Sequence, residues 1–280
     1  MLIKLLTKYK IVRNNELQAK LLYYIAFGRK CNYDNPQTFN EFITVRKNNP
    51  KLLDYSMYTD KIAVRDYVKK NSDLELNELY GVWEKPEDID FNSLPTQFVL
   101  KCNHGSGYNI VVKDKSQINE CKVRQILGKW LKTNYYDIGR ELNYKNIQPR
   151  ILCEAYLSDI EKQCPEYKAF CFNGKVGFVQ VNFWKEGKRY SNIYDPMGSL
   201  LPVKYGYDND PEYIPVGNMA NVLSVASNLS REFDFVRVDL YVIKGKIYFS
   251  ELTFGPGSGI VKFQPESYDY EFGRLFNYET

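Results

Sequence analysis

The sequence predicts a mixed α/β chain whose sheets are mostly antiparallel, and three stretches predict it. The first is FDFVRVDLYVIKGKIYFSELTFGPGSG, from Phe233 to Gly259. Val236, Val238, Leu240 and Val242 alternate there with Arg237, Asp239 and Tyr241, the period of a half-buried strand. A Lys244-Gly245 turn and a second alternating run complete a β-hairpin, with Ile247, Phe249, Glu251 and Thr253 on one face. The second stretch, EYKAFCFNGKVGFVQVNFW, turns at Asn173-Gly174, the strongest short hairpin signal. The third, FVLKCNHGSGYNIVVKDK, reads as strand, glycine loop, strand. Amphipathic helices interleave with them, one at 118–131 (Val123, Ile126, Leu127, Trp130) and one within 214–233 (Met219, Val222, Leu223, Ala226).

The first hairpin carries chemistry. With an odd number of residues in its turn, Asp239 lies opposite Glu251 and Arg237 opposite Thr253. Two like charges facing across a strand pair repel, so such a pair calls for a cation. Hard carboxylate oxygens suit Mg²⁺, commonly shared with nucleotide phosphates. The plainer alternative is an exposed hairpin with scattered charges.

Composition narrows the class. A chain of 280 residues with 44% apolar and 26% charged residues is long enough for one large domain or two small ones. The net charge of +4 is too small to imply nucleic acid. Residues 1–30 nevertheless hold seven Lys/Arg against the single Glu16. Leucines at helical spacing (Leu2, Leu5, Leu6, then Leu17, Leu21, Leu22 with Ile25) make this stretch either a packed helix or a basic surface helix touching anionic lipid. No run of about 18 apolar residues could span a membrane, and the opening lacks a signal-peptide pattern. The six cysteines are dispersed without a CxxC pair and read as reduced thiols of a cytosolic protein. A zinc site is disfavoured, because His104 is the only histidine.

Along the chain, Thr38 with Glu41 three residues on forms a capping box. Thr59 and Asp60 cap a further helix carrying Lys61, Val64, Arg65 and Val68. Lys61 near a helix start opposes the macrodipole and points to a nearby anion. Gly105 and Gly107 let the backbone bend and bring N–H groups up to a ligand, with Lys101 at the end of the preceding strand; the alternative is a flexible hairpin tip. The loop matches neither a P-loop nor GxGxxG before a helix. RILCEAYL is a strand reaching Glu154. Lys168 alternates to the same face as Glu166. Asp208-Asn209-Asp210 contains the D-x-D of many nucleotide-sugar glycosyltransferases, but lies in a polar loop where Asp and Asn form turns.

Six segments in this order, NPQTFNEFI, TDKIAVRDYV, FVLKCNHGSG, GRELNYKNIQPRILCEAYL, EYKAFCFNGK and RVDLYVIKGKIYFSELTFGPGSG, resemble the ATP-grasp superfamily. They look most like its TupA-like branch, associated with teichuronopeptide and other cell-surface polysaccharide synthesis. The resemblance spans about residues 35–259 and implies a two-lobed ATP-grasp fold. It implies a helical leader at 1–58 and a catalytic domain at 59–280, with a smaller lobe at about 59–153 and a larger one at about 154–280. It implies ATP and Mg²⁺ as cofactors. Lys61 and Lys101 would contact phosphates beneath a loop containing His104, Gly105, Ser106 and Gly107. Glu154, with the Tyr156 and Leu157 backbone, would hold adenine. Glu166 would sit near ribose, and Lys168 would face phosphate or solvent. Asp239 and Glu251 would hold the metal while Arg237 steadies the transferring phosphoryl group.

The implied reaction is amide formation through an acyl phosphate, joining an amino acid to a uronic acid or similar carboxylate of a surface glycan. Such an enzyme would be cytoplasmic, with weak contact to an anionic membrane surface. The pattern also departs from the family. Thr253 stands where many members have a metal-binding Asn, Cys102 replaces a frequent proline, Phe42 interrupts a usual Glu-Lys-Ile run, and no full-size N-terminal substrate domain is recognisable. Two alternatives from other classes are a glycosyltransferase using Asp208 and Asp210, and a non-catalytic nucleotide-binding module.

Overall fold

A computed structural model describes residues 12, 14–157, 164–215, 217 and 219–277. Its strands are β1 (Leu79–Trp83), β2 (Phe98–Cys102), β3 (Asn109–Val112), β4 (Ile151–Ala155), β5 (Glu166–Phe172), β6 (Lys175–Lys185), β7 (Lys188–Tyr194), β8 (Leu200–Leu201), β9 (Lys204–Tyr205), β10 (Phe235–Ile243), β11 (Lys246–Thr253) and β12 (Phe263–Gln264). The longer helices are α1 (Asn15–Phe27), α2 (Phe39–Arg46), α3 (Val64–Asn71), α4 (Glu120–Leu131), α5 (Met219–Ser230) and α6 (Ser267–Arg274). One sheet has the order β1-β4-β2-β3, a second has β11-β10-β5-β6-β7-β8, and β9 with β12 forms a two-stranded ribbon. Every ladder is antiparallel, as the hairpin-rich sequence requires.

Three hairpins of the larger sheet close with two residues at positive φ: Asn173-Gly174, Glu186-Gly187 and Lys244-Gly245. That pair of left-handed residues matches the right-handed twist of the flanking strands. The β10–β11 turn is therefore even, not odd. Asp239 still faces Glu251, and Arg237 faces Thr253, because the register shifts between Leu240↔Phe249 and Asp239↔Glu251. Ser250 is the extra residue of this bulge, which reverses side-chain parity. Ile247 and Phe249 pack toward the core that holds Leu240, Val242 and Leu252, while Thr253 and Glu251 reach Arg237 on the other face. The four residues expected on one face are thus split between two.

Each sheet packs differently. The smaller sheet buries Phe98, Leu100, Cys102, Ile151 and Cys153 against Val123 and Leu127 of α4. The larger sheet is covered on both faces. Val236, Val238 and Leu240 meet Val222, Ala226 and Leu229 of α5 and Val64, Tyr67 and Val68 of α3 on one side. On the other, Phe170, Phe172, Phe178 and Phe235 meet Phe39 of α2 and Phe272 of α6. Phe39 is wholly buried, its ring centroid 5.7 Å from Phe170, 5.8 Å from Phe235 and 5.6 Å from Phe263. Truncating such a ring costs about 3–5 kcal/mol. Residues 64–71, counted from sequence with the smaller lobe, thus contribute to the core of the larger sheet.

Both bonds of the Thr38–Glu41 capping box form, fixing the start of α2. In α1, Leu22 and Tyr23 are buried, whereas Leu17 is 57% exposed. Leu2, Leu5 and Leu6 lie outside the described residues. Among those described, no helix is long and apolar enough to cross a membrane.

Candidate active site

A cleft of about 540 Å³ opens between the two sheets. Five cationic side chains (Lys61, Arg65, Lys101, Lys168, Arg189) and three carboxylates (Glu154, Glu166, Glu251) line it. Val99, Val111, Leu76 and Leu157 add an apolar slot beside them. Strand alternation explains the smaller-sheet wall. Leu100 and Cys102 enter the core, so Val99 and Lys101 face outward.

Lys101 Nζ donates to Glu154 Oε2 at 2.6 Å, and Arg65 Nη1 donates to Glu154 Oε1 at 3.0 Å. Glu154 thus holds two cations at the cleft wall. Its expected role toward adenine would have to share oxygens already engaged. Arg65 does not stand out from sequence as a site residue, although it falls four residues after Lys61, the interval that returns to one helical face.

Lys61 is held by the loop itself, with Nζ donating to the Gly105 carbonyl at 2.6 Å. Burial pulls its pKa below the usual lysine value. The turn bearing it is fastened by Asp60. Its Oδ1 accepts from Ile62 N at 2.8 Å, and its Oδ2 accepts from Asn103 Nδ2 at 2.8 Å and lies 3.4 Å from Arg150. Asp60 therefore braces the turn at 61–63 rather than capping α3, which starts at Val64 with Ala63 as its N-cap and no side-chain cap; Thr59 Oγ1 donates back to Tyr55 O instead. Ser106 and Gly107 line the cleft, with Gly107 at φ 74°. Gly105 is required for a different reason: a Cβ there would come within 2.7 Å of the Tyr108 and Tyr135 rings.

His104 departs from its expected ATP-contacting role. It is 2% exposed and does not line the cleft. Its Nε2 lies 3.2 Å from Trp130 O and 3.1 Å from Thr133 O. Both partners are carbonyls, so Nε2 carries the proton and donates. Burial lowers its pKa, and the ring bolts the glycine loop to the end of α4.

The larger-sheet wall is a chain of ion pairs. Arg189 Nη2 lies 2.9 Å from Glu166 Oε2, and Lys168 Nζ lies 3.0 Å from Glu166 Oε1 and 2.6 Å from Asp239 Oδ2. Arg237 grips Asp239 through Nε at 2.6 Å and Nη2 at 2.7 Å. The Asp239↔Lys168 pairing of β10 and β5 sets these contacts. Asp239 is fully buried; burial alone would raise its pKa, but Arg237 and Lys168 outweigh it and hold the carboxyl below the usual range. Thr253 Oγ1 accepts from Arg237 Nη2 at 3.1 Å and donates to Glu251 Oε1 at 3.0 Å, tying the two strands together.

The cation demanded by the facing carboxylates is thus supplied partly by the protein. Glu251 lines the cleft with its side chain 35% exposed, and fits as a metal ligand. Asp239 is wholly buried and does not line the cleft; Arg237 holds both of its oxygens and Lys168 one of them as well, so it would reach a metal only after both partners shift. Among the described residues, no three His, Cys, Asp or Glu side chains converge on one point.

The D-x-D pair has another explanation. Asp208 binds Lys188 at 2.9 Å and Lys204 at 3.2 Å, and Asp210 binds Lys185 at 2.6 Å. Asp210 also accepts from Glu212 N at 3.2 Å, an Asx-type turn contact.

The family model for TupA-like ATPgrasp matches residues 41–277. Among solved structures, D-alanine–D-alanine ligase from Bacillus anthracis complexed with ATP is similar at 16% identity and a TM-score of 0.41, over 72% of this chain and 55% of that one. The Helicobacter pylori D-alanine–D-alanine ligase is similar at 13% identity and a TM-score of 0.44, over 79% and 58%. The ATP-grasp ligase PsnB complexed with minimal precursor is similar at 9% identity and a TM-score of 0.41, over 76% and 59%. The chain therefore spans little more than half the length of these ligases. No curated protein matches it. On the match over residues 41–277, the chain belongs to the TupA-like ATP-grasp family.

Proposed function

We propose that the protein is an ATP-dependent carboxylate–amine ligase. The observation that carries this is the convergence on one cleft of Lys61, Lys101 and the glycine loop from one side with Lys168 and Glu251 from the other, Arg237 lying directly behind. Ammonium groups and loop N–H groups suit the phosphates of ATP, and the apolar slot suits its base. A substrate carboxylate attacks the γ-phosphorus, breaking its bond to the ADP oxygen and giving an acyl phosphate. An amine then attacks the acyl carbon, phosphate departs, the nitrogen loses a proton, and an amide remains. Arg237 neutralises charge spread over the phosphoryl oxygens. Mg²⁺, with Glu251 and Asp239 as its donors, would supply further neutralisation of phosphate charge.

Family membership supports the finer reading, in which an amino acid is joined to a uronic acid or similar carboxylate of a cell-surface glycan. In this reading the chain divides into a leader (1–58), a smaller lobe (59–153) and a larger lobe (154–280), and works at the cytoplasmic face of a membrane.

A screen of amino acids against uronic-acid acceptors, scored by ADP and product mass, tests it. ADP release should need both substrates and collapse on chelation of divalent metal. UDP release from a sugar nucleotide would favour a transferase instead, and nucleotide binding without turnover would favour a non-catalytic module.

A further inference from the structure

A second cleft, of about 420 Å³, lies beside the ATP cleft and shares Arg189 with it. Lys188, Lys204 and Lys262 join Arg189 around it, with Asp208 as its one carboxylate. Asp208 is bridged by Lys188 at Oδ2 and by Lys204 at Oδ1, which orders two ammonium groups and leaves neither carboxylate oxygen for a metal. Lys262 Nζ lies 5.8 Å from the Phe27 ring centroid, and among the described residues no carboxylate pairs with it. Tyr207 is 42% exposed, and the Arg189 guanidinium carbon lies 5.0 Å from its ring centroid. The cleft therefore combines net positive charge with an accessible aromatic ring.

Its position gives this combination a use. From Arg189, contacts run through Glu166 and Lys168 to Asp239 and Arg237, the groups assigned above to phosphoryl transfer. We propose that this cleft is the acceptor subsite, and that it holds an anionic, carboxylate-bearing sugar chain with one carboxylate reaching past Arg189 toward Arg237. The cations are spread around an open concavity, so a chain with repeated carboxylates engages more of them than a single small acid could. The Tyr207 ring offers a flat apolar surface for the C–H face of a sugar. The proposal rests on the ligase reading for the purpose of the subsite, but its binding test does not.

The test uses the full chain, with oligogalacturonate as probe, a neutral dextran fragment of similar length as control, and ATP analogue binding measured in parallel. Oligogalacturonate should bind and dextran should not. The K204E/K262E double variant should weaken oligogalacturonate binding more than tenfold while ATP analogue binding stays within twofold. Lys262→Glu alone, which breaks no ion pair, should give a smaller loss in the same direction. Unchanged binding by both variants overturns the proposal, as does wild-type protein that binds the ATP analogue but not oligogalacturonate. Inorganic polyphosphate binding tighter than oligogalacturonate at equal charge overturns the sugar-carboxylate assignment. Failure of wild type to bind the ATP analogue counts against the ligase reading and leaves the oligogalacturonate result to decide the subsite.

Discussion

On the smaller-sheet wall of the cleft, Lys101 and Arg65 share one carboxylate, Glu154, and Lys101 keeps 29% of its side chain exposed. On the larger-sheet wall, Asp239 is wholly buried between Arg237 and Lys168. The sheets behind them differ in the same sense. The smaller packs one face on α4 and turns the other to the cleft. The larger is covered on both faces, and the face carrying Phe170, Phe172 and Phe235 continues along the same strands into Lys168, Glu166, Arg237 and Asp239. Charges that must stay fixed are set in the doubly covered sheet, where neighbouring aromatic packing locks the backbone. Lys101, more exposed, stands on the singly covered one. Substitutions on the larger-sheet wall should therefore cost stability and activity together, while those on the smaller-sheet wall should cost activity alone.

The largest expected effect is at Asp239. Asp239→Ala leaves Arg237 and Lys168 facing each other without their shared anion, which should cost about 3–5 kcal/mol of stability and abolish ADP formation. Chemical denaturation and an ADP assay read the two losses. An unchanged denaturation midpoint would show that the buried pair does not hold the sheet. The lowered pKa of Asp239 gives the sign of its pH dependence. Its contribution is complete above the unfolded value near 3.8 and is lost as pH falls through the lower folded value.

Next come Lys101→Ala and Glu251→Gln, one from each wall and both partly exposed. Each should lower ADP formation by on the order of 100-fold. Lys101→Ala should cost no more than about 1 kcal/mol of stability, because Arg65 still pairs with Glu154. If it destabilises the protein as much as Asp239→Ala does, the contrast between the walls fails.

A smaller effect is expected at His104, the sole histidine. Its pKa is lowered in the fold, so its contribution is full above the unfolded value near 6.5 and is lost as pH falls below that value. Thermal unfolding of the wild type between pH 7 and 5 should therefore show a decline that His104→Leu flattens. Nucleotide affinity of His104→Leu, measured on correctly folded protein, should change less than that of Lys101→Ala.

The last prediction concerns residues 1–30 and bears on neither wall. Attraction of this basic segment to an anionic membrane would amount to about 1 kcal/mol per basic residue near the surface. Binding to anionic vesicles should disappear within a few hundred millimolar salt. Loss of thermal stability when the segment is deleted, together with full-length protein that ignores vesicles at low salt, would assign the segment to packing alone.

Sequence alone determined the antiparallel hairpins, because strand period and the turn pairs Asn173-Gly174 and Lys244-Gly245 are local signals. Together with the family resemblance it also singled out six of the eight charged residues that line the cleft, Lys61, Lys101, Glu154, Glu166, Lys168 and Glu251. It missed the Ser250 bulge, because an extra residue in one strand is visible only against its partner. It gave His104 to the nucleotide, whereas packing of α4 behind the loop turned the ring toward two carbonyls. Nor did it show Arg65 beside Glu154, Arg189 beside Glu166, or Lys168 against Asp239, which are 89, 23 and 71 residues apart. Spacing along a strand or helix tells which side chains share a face. Which charge finally neutralises which depends on elements distant in sequence meeting across a cleft, and only the tertiary structure decides that.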